Sequence, residues 1–292
     1  MVDTPARLWP AIELRVTQAL PAAFPPAWDF DERVALVLDG LEATAVEQPA
    51  DLTYRIYFSD AAARLTASAA LAREFGGVCA VTLVDVADEG WLQKVQSTLG
   101  AIGVGRFVVA PPWDLPPDTP ADEAPILVVI EPSMGFGTGH HESTRLCLLA
   151  LETLDVRKRR VLDVGTGSGV LAIAAARLGA AHVLAIDVDP DAIASAHDNV
   201  LRNGVSGVVE VRRADLATAA ADAVDVVLAN LTAVMLMGHA TVLSGLVVPG
   251  GSLVASGFTS DQASTVIGAF PELETADRRS ENGWECVVFR RP

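Results

Sequence analysis

The sequence predicts an α/β fold, a doubly wound and mostly parallel sheet preceded by a small α+β domain. Three observations carry this. From Val161 onward, short β-branched runs alternate with longer Ala/Leu-rich segments, the pattern of repeated strand–helix units. Gly, Pro and Asn-Gly punctuation falls between those runs, as connections require. With 292 residues, 51% apolar and 20% charged, the chain can bury a sizeable core in two domains.

In chain order, residues 1–30 hold Trp9, Trp28 and a Pro25-Pro26 pair, and no element is placed there. Glu42–Gln48 and Thr53–Phe58 read as strands, Ala61–Phe75 as a helix and Val78–Val86 as another strand. Pro111 to Pro120 offers few backbone donors and stiff extended geometry, so it reads as a linker. The expected division is therefore an acidic α+β domain over 1–110, a linker over 111–125 and the α/β domain over 126–292. Within the last, Leu146–Leu154 is an apolar helix, Val161–Val164 a strand, and Leu171–Leu178 a buried helix ended by Gly179. His182–Asp187 is the next strand. Asp189-Pro190 opens a helix through about Arg202, with Asn203-Gly204 as its stop. Val208–Arg212 and Val224–Ala229 read as strands and Thr232–Val247 as one helix. The Pro249-Gly250-Gly251 turn, the strand Ser252–Ser256 and a last strand, Trp284–Arg290, complete the order.

Charge is uneven: residues 1–125 hold 8 Lys+Arg against 18 Asp+Glu, and residues 126–292 hold 13 against 19, for a net −16. Such a surface repels a phosphate backbone and attracts basic molecules, which disfavours direct nucleic-acid binding and favours a Lys/Arg-rich protein partner. Solubility alone is the other reading of the same charge. Cys79, Cys147 and Cys286 lack C-x-x-C spacing, so neither a disulfide framework nor a zinc site is indicated. No run of about 18 apolar residues occurs, and Asp3, Pro5 and Glu13 stand where a secretory leader needs an apolar stretch. A cytoplasmic protein with no membrane partner is expected.

The chemistry concentrates in four segments. Asp163-Val164-Gly165-Thr166-Gly167-Ser168-Gly169 lies directly after a strand and before a helix, where glycines let a backbone turn approach a nucleotide cofactor closely. A dinucleotide fingerprint would need glycine at Val170, so the NAD(P) oxidoreductase reading weakens. Asp187 ends the next strand, where a carboxylate can accept from both hydroxyls of a ribose, and Asp215 follows the third strand, as an acceptor for an adenine amino group or as a solvated turn carboxylate. Ala229-Asn230-Leu231-Thr232-Ala233 sits at the carboxyl end of the fourth strand, where an amide can meet an incoming amine. Upstream, Gly135-Phe136-Gly137-Thr138-Gly139-His140-His141-Glu142-Ser143-Thr144 is too rich in glycine and hydroxyls for an ordinary linker. His140 and His141 are candidate bases there, or loop residues packed on their neighbours.

Together these segments resemble the PrmA family, methyltransferases that modify a large-subunit ribosomal protein. The likeness runs from about Trp91 to Arg291 and includes Arg106–Trp113 and the Trp284 strand. It implies a seven-stranded, Rossmann-like S-adenosylmethionine-dependent methyltransferase sheet and an N-terminal domain that recognises a basic, ribosomal protein. The reaction it implies is methyl transfer to lysine or N-terminal amines. It further implies that Thr144, Gly165, Asp187 and Asn230 contact the cofactor, with Phe136 and Thr138 near the methyl group. Asn230 and Thr138 are thus the expected catalytic pair, and Asp163, Gly167 and Asp215 join the cofactor set. This chain departs from the family at His140, Glu142 and Thr232, where a second Thr, a Pro and an aliphatic residue are usual. A methyltransferase acting on a small molecule or another protein is the alternative.

Overall fold

A computed structural model describes residues 8–17, 34, 37–38, 41, 43–50, 52–58, 60–87, 99–117, 125–132, 139–216 and 222–292. The chain forms two compact units, Met1–Ser97 and Thr98–Pro292. The first contains β1 (Leu8–Val16), β2 (Ala43–Ala50), β3 (Thr53–Phe58), α1 (Ala61–Phe75) and β4 (Cys79–Ala87). The strands pair antiparallel in the order β2-β3-β1-β4. Asp60 starts α1 by accepting from the amides of Ala62 and Ala63, the usual satisfaction of orphan donors at a helix N-terminus. The stripe Ala63, Ala67, Leu71 and Phe75 then joins Ile12, Leu14, Ile56 and Phe58 in one core. No strand is expected in residues 1–30, yet β1 lies inside the sheet. Pro10 hides it: proline belongs on edges, and here it faces only Asp85 of β4, because pairing with β3 begins one residue later at Ala11.

The second unit opens with β5 (Ile102–Val104), β6 (Phe107–Ala110) and β7 (Ile126–Val129), a small sheet in the order β5-β6-β7. Because β6 pairs parallel with β7, the unit boundary falls between Ser97 and Thr98 rather than at the Pro-rich stretch, and the expected 1–110 domain gives up its last two strands. There follow α2 (Glu142–Thr153), β8 (Arg160–Val164), α3 (Val170–Arg177), β9 (His182–Asp187), α4 (Pro190–Arg202), β10 (Val209–Arg213) and β11 (Val224–Asn230). Next come α5 (Ala233–Gly238), α6 (Ala240–Gly245), β12 (Val247–Thr259), α7 (Ala263–Gly268), β13 (Glu274–Glu281) and β14 (Trp284–Arg290).

The main sheet has seven strands in the order β10-β9-β8-β11-β12-β14-β13, parallel except for β14, which runs antiparallel to both neighbours. Alternate residues feed opposite faces. Val161, Val226, Leu228, Val254 and Val288 pack with Leu148 and Ile173 of α2 and α3; Leu162, Val227, Leu253, Val287 and Phe289 pack with Leu236, Leu243 and Val266 of α5 to α7. The chain steps outward from β8 to β9 and β10, then returns to β11 on the other side of β8. This switch point is where open α/β sheets hold ligands.

Three local expectations are corrected. Thr232–Val247 is two short helices, since Gly238 weakens the interior and His239 leaves helical geometry at φ −111°. β12 begins at Val247, not Ser252, absorbing the Pro249–Gly251 turn through a register shift against β11. β13 was unread because nearly all its residues are polar, as an edge strand requires. The Asn282-Gly283 turn joining it to β14, with both φ positive at 48° and 84°, was its visible signal. Among the described residues, no helix is long and apolar enough to cross a membrane.

Candidate active site

β8 carries apolar side chains to both faces and ends at Val164, where the chain must turn into α3. Gly165 makes that turn at φ +68°, a region most L side chains avoid, and a Cβ there would stand 2.5 Å from Leu231 Cδ2. The loop is tied to the end of β9: the amides of Gly165 and Thr166 both donate to the Ile186 carbonyl (2.9 and 3.0 Å), and the Gly167 amide donates to Asp187 Oδ2 at 3.0 Å. Asp187 Oδ1 accepts from the Asp189 amide at 3.1 Å. Each carboxylate oxygen thus spends one acceptor position and keeps another, so the side chain can still take both hydroxyls of a ribose.

Asp163, expected among the cofactor contacts, lies beneath the loop at 1% exposure. Its Oδ2 accepts from Thr166 Oγ1 (2.7 Å) and the Ala172 amide (3.2 Å), and burial pushes its carboxyl up to about 7. The geometry makes it the peg that holds the loop to α3 rather than a group facing the crevice. Asp215 is exposed just beyond β10, and the preceding amide, Ala214, donates to the Asp187 carbonyl at 2.9 Å, which keeps that turn beside the end of β9.

On the other side of β8, Asn230 ends β11 half-buried, and its Nδ2 donates to Oγ1 of the buried Thr144 at 3.2 Å. The backbone that follows is gripped at Leu231. Its amide donates to the Ser256 carbonyl (2.9 Å), and at Gly257, φ +94°, a Cβ would stand 2.4 Å from the Leu231 carbonyl oxygen. Gly257 is not among the expected site residues; a lone glycine inside a strand pattern, marking close backbone approach, is its signal. Thr232, where an aliphatic residue was expected, caps α5 by accepting from the Met235 amide.

Thr144 owes its place to the start of α2. His141 caps that helix: its Nδ1 accepts from the Ser143 amide, its ring stands edge-on to Trp284 at 4.4 Å, and burial lowers its pKa. Glu142 pairs with Arg145, Asn282 donates to Glu142, and Arg145 also binds Glu281, so the β13–β14 hairpin holds the helix. His140 donates through Nε2 to the Gly100 carbonyl at 3.0 Å. Both histidines therefore brace backbone, at Gly100 and at the start of α2. Phe136 and Thr138 lie outside the described residues. The structure accordingly gathers Gly165, Gly167 and Asp187 in one loop-and-strand end, with Asn230 and Thr144 at the adjacent strand, and no cluster of metal-ligating side chains occurs among the described residues.

A family model described as ribosomal protein L11 methyltransferase (PrmA) matches residues 32–292. The ribosomal protein L11 methyltransferase of Dechloromonas aromatica (strain RCB) is 39% identical over 232 residues, 78% of this chain and 75% of that protein. That of Geobacter sulfurreducens is 38% identical over 265 residues, 87% of this chain and 86% of that protein. A crystal structure of ribosomal protein L11 methylase from Lactobacillus delbrueckii subsp. bulgaricus superposes with a TM-score of 0.61 at 26% identity, covering 66% of this chain and all of that one.

Proposed function

This chain belongs to the ribosomal protein L11 methyltransferase family, and from that premise we propose that it methylates lysine or N-terminal amines of a large-subunit ribosomal protein of the L11 type. It is a methyltransferase that uses S-adenosylmethionine. The residues present fit that cofactor: a glycine turn with no Cβ in the way, backbone donors beside it, and a carboxylate with acceptor capacity for a ribose diol. When bound, S-adenosylmethionine supplies a methyl group on a sulfonium, which an amine can displace in line.

The single observation that carries the assignment is the Gly167–Asp187 hydrogen bond, which joins glycine loop and ribose-binding carboxylate into one preformed surface at the switch point of the sheet. Positioning is then the main lever on rate. Because Nδ2 of Asn230 is engaged by Thr144, its Oδ1 is the atom left to accept from an incoming amine. A free lysine amine has a pKa of about 10.4 and must be neutral to attack, so a hydrogen-bond acceptor that orients the neutral form is the help it needs. The proton leaves to solvent, with His140 and His141 as the alternative acceptors.

The unit Met1–Ser97 serves in this reading as the docking domain. The net negative charge of the front half, 8 Lys+Arg against 18 Asp+Glu in residues 1–125, suits a basic partner.

The test is methyl transfer from labelled S-adenosylmethionine to purified ribosomal protein L11, located by mass spectrometry. Calorimetric titrations with S-adenosylhomocysteine and with NAD run alongside. Incorporation at amines of L11 and binding of S-adenosylhomocysteine but not NAD are expected; NAD binding alone overturns the assignment, and incorporation only into small molecules or other proteins overturns the substrate. Asn230→Ala should lower turnover by about tenfold, the value of one oriented hydrogen bond, with S-adenosylhomocysteine affinity nearly kept. Unchanged turnover removes Asn230 from that role.

A further inference from the structure

α4 and its C-cap carry two buried amides, Asn199 at 1% and Asn203 at 5% exposure. They lie four residues apart, about 6 Å along a helix, while alternate residues of a strand repeat at about 6.6 Å. The two spacings match, and α4 uses the match to stand in for a neighbouring strand. On the β6 side, the Ile126 amide that opens β7 donates to the Arg106 carbonyl (2.8 Å), and the Ile130 amide just past its end donates to that of Ala110 (2.9 Å). On the other side, the amide of Val129, the last residue of β7, donates to Asn203 Oδ1, and that of Glu131, two residues on, donates to Asn199 Oδ1, both at 2.9 Å. Asn203 Nδ2 also donates to the Val129 carbonyl at 2.7 Å, completing the exchange that a paired strand would make.

The two asparagines then differ. Asn203 directs its remaining bond to the Asn199 carbonyl, within its own helix (2.8 Å). Asn199 instead donates through Nδ2 to the carbonyl of Ser168, in the glycine loop, at 3.0 Å. One amide group therefore spans the cofactor loop and the strand end from which the chain runs on into the Gly135–Thr144 motif.

We propose that Asn199 is a positioning residue of the methyl-transfer site: it sets the glycine loop at a fixed distance from Val129–Glu131, whereas Asn203 only closes the edge of β7. The inference rests on the glycine loop being the S-adenosylmethionine site. A buried amide that has both halves engaged holds two segments in register without covalent connection.

The matched pair Asn199→Ala and Asn203→Ala tests it, because both remove strand-edge bonds but only the first releases the loop. Titration with S-adenosylhomocysteine should show affinity falling about tenfold in Asn199→Ala and staying within about twofold in Asn203→Ala, at comparable losses of Tm. In turnover, Asn199→Ala should raise KM for S-adenosylmethionine more than it lowers kcat. Asn199→Asp keeps an acceptor for the Glu131 amide but sets an oxygen against the Ser168 carbonyl. It should bind S-adenosylhomocysteine as weakly as Asn199→Ala, and it carries the test if the alanine variant does not fold. Equal affinity in the 199 and 203 variants, or wild-type affinity in Asn199→Asp, overturns the proposal. Wild-type protein titrated in the same series separates the premise: if it fails to bind, the cofactor assignment falls rather than the role of Asn199.

Discussion

Gly257→Ala should damage both stability and turnover through a contact made entirely by backbone. Gly257 sits at φ +94°, and a Cβ built on it stands 2.4 Å from the carbonyl oxygen, 2.8 Å from the carbonyl carbon and 3.0 Å from the amide nitrogen of Leu231. No rotamer relieves such a contact; Leu231 or the strand has to move by at least half an ångström. Leu231 has little room to retreat, because its amide is bonded to Ser256 and its side chain lies against Gly165. The left-handed conformation alone costs an alanine about 1–2 kcal/mol, and displacing a packed segment adds an amount of similar size, roughly 3 kcal/mol in all. For a domain of this length that lowers Tm by roughly 10 °C. Asn230 is the preceding residue, so it moves with Leu231, and a misplacement of that order should cut kcat by about 10- to 100-fold. Thermal unfolding followed by circular dichroism, and initial rates of methyl transfer to L11 at saturating cofactor, measure the two effects. A Gly257→Ala protein with wild-type Tm and kcat would show that the grip on Leu231 does not position Asn230, and the reasoning would fail.

Two pH dependences follow from burial. Asp163 has its folded pKa raised from 3.8 to about 7 by desolvation, so its contribution favours folding below pH 4 and is lost as pH rises toward 7. Asp163→Asn retains an acceptor for Thr166 and Ala172 without the charge; its Tm relative to wild type should climb between pH 4 and 7 and then level, and a flat difference would contradict the burial cost. His141 has its folded pKa lowered below 6.5, so the stability it lends is present above pH 6.5 and is lost as pH falls below that value. His141→Asn, which can also cap a helix, should lose less Tm than wild type between pH 7 and 5.5, with cofactor affinity measured in parallel because the cap supports Thr144.

Elements written locally are legible from the chain alone. The strand His182–Asp187, the helix Ala61–Phe75 and the helix opened by Asp189-Pro190 were all legible, because apolar period, cap residue and stop residue agree within a dozen positions. The places of Gly165, Asp187 and Asn230 were legible too: each stands at or just past the end of an apolar strand, and a parallel sheet brings such ends to one edge. What only the tertiary structure decided depends on partners distant in the chain. That Asp163 lies under the loop, that β1 is central despite Pro10, and that β6 belongs with β7 rather than with the N-terminal unit are facts of pairing and burial. The same holds for Gly257, 26 residues after Leu231 in the chain yet against its carbonyl, and for Asn199, whose two bonds reach back 31 and 68 residues. Periodicity reports which side of an element is buried, and it carries no record of which other element that side meets. A buried amide or a glycine without room for a Cβ is defined only by its neighbour, and the fold alone supplies the neighbour.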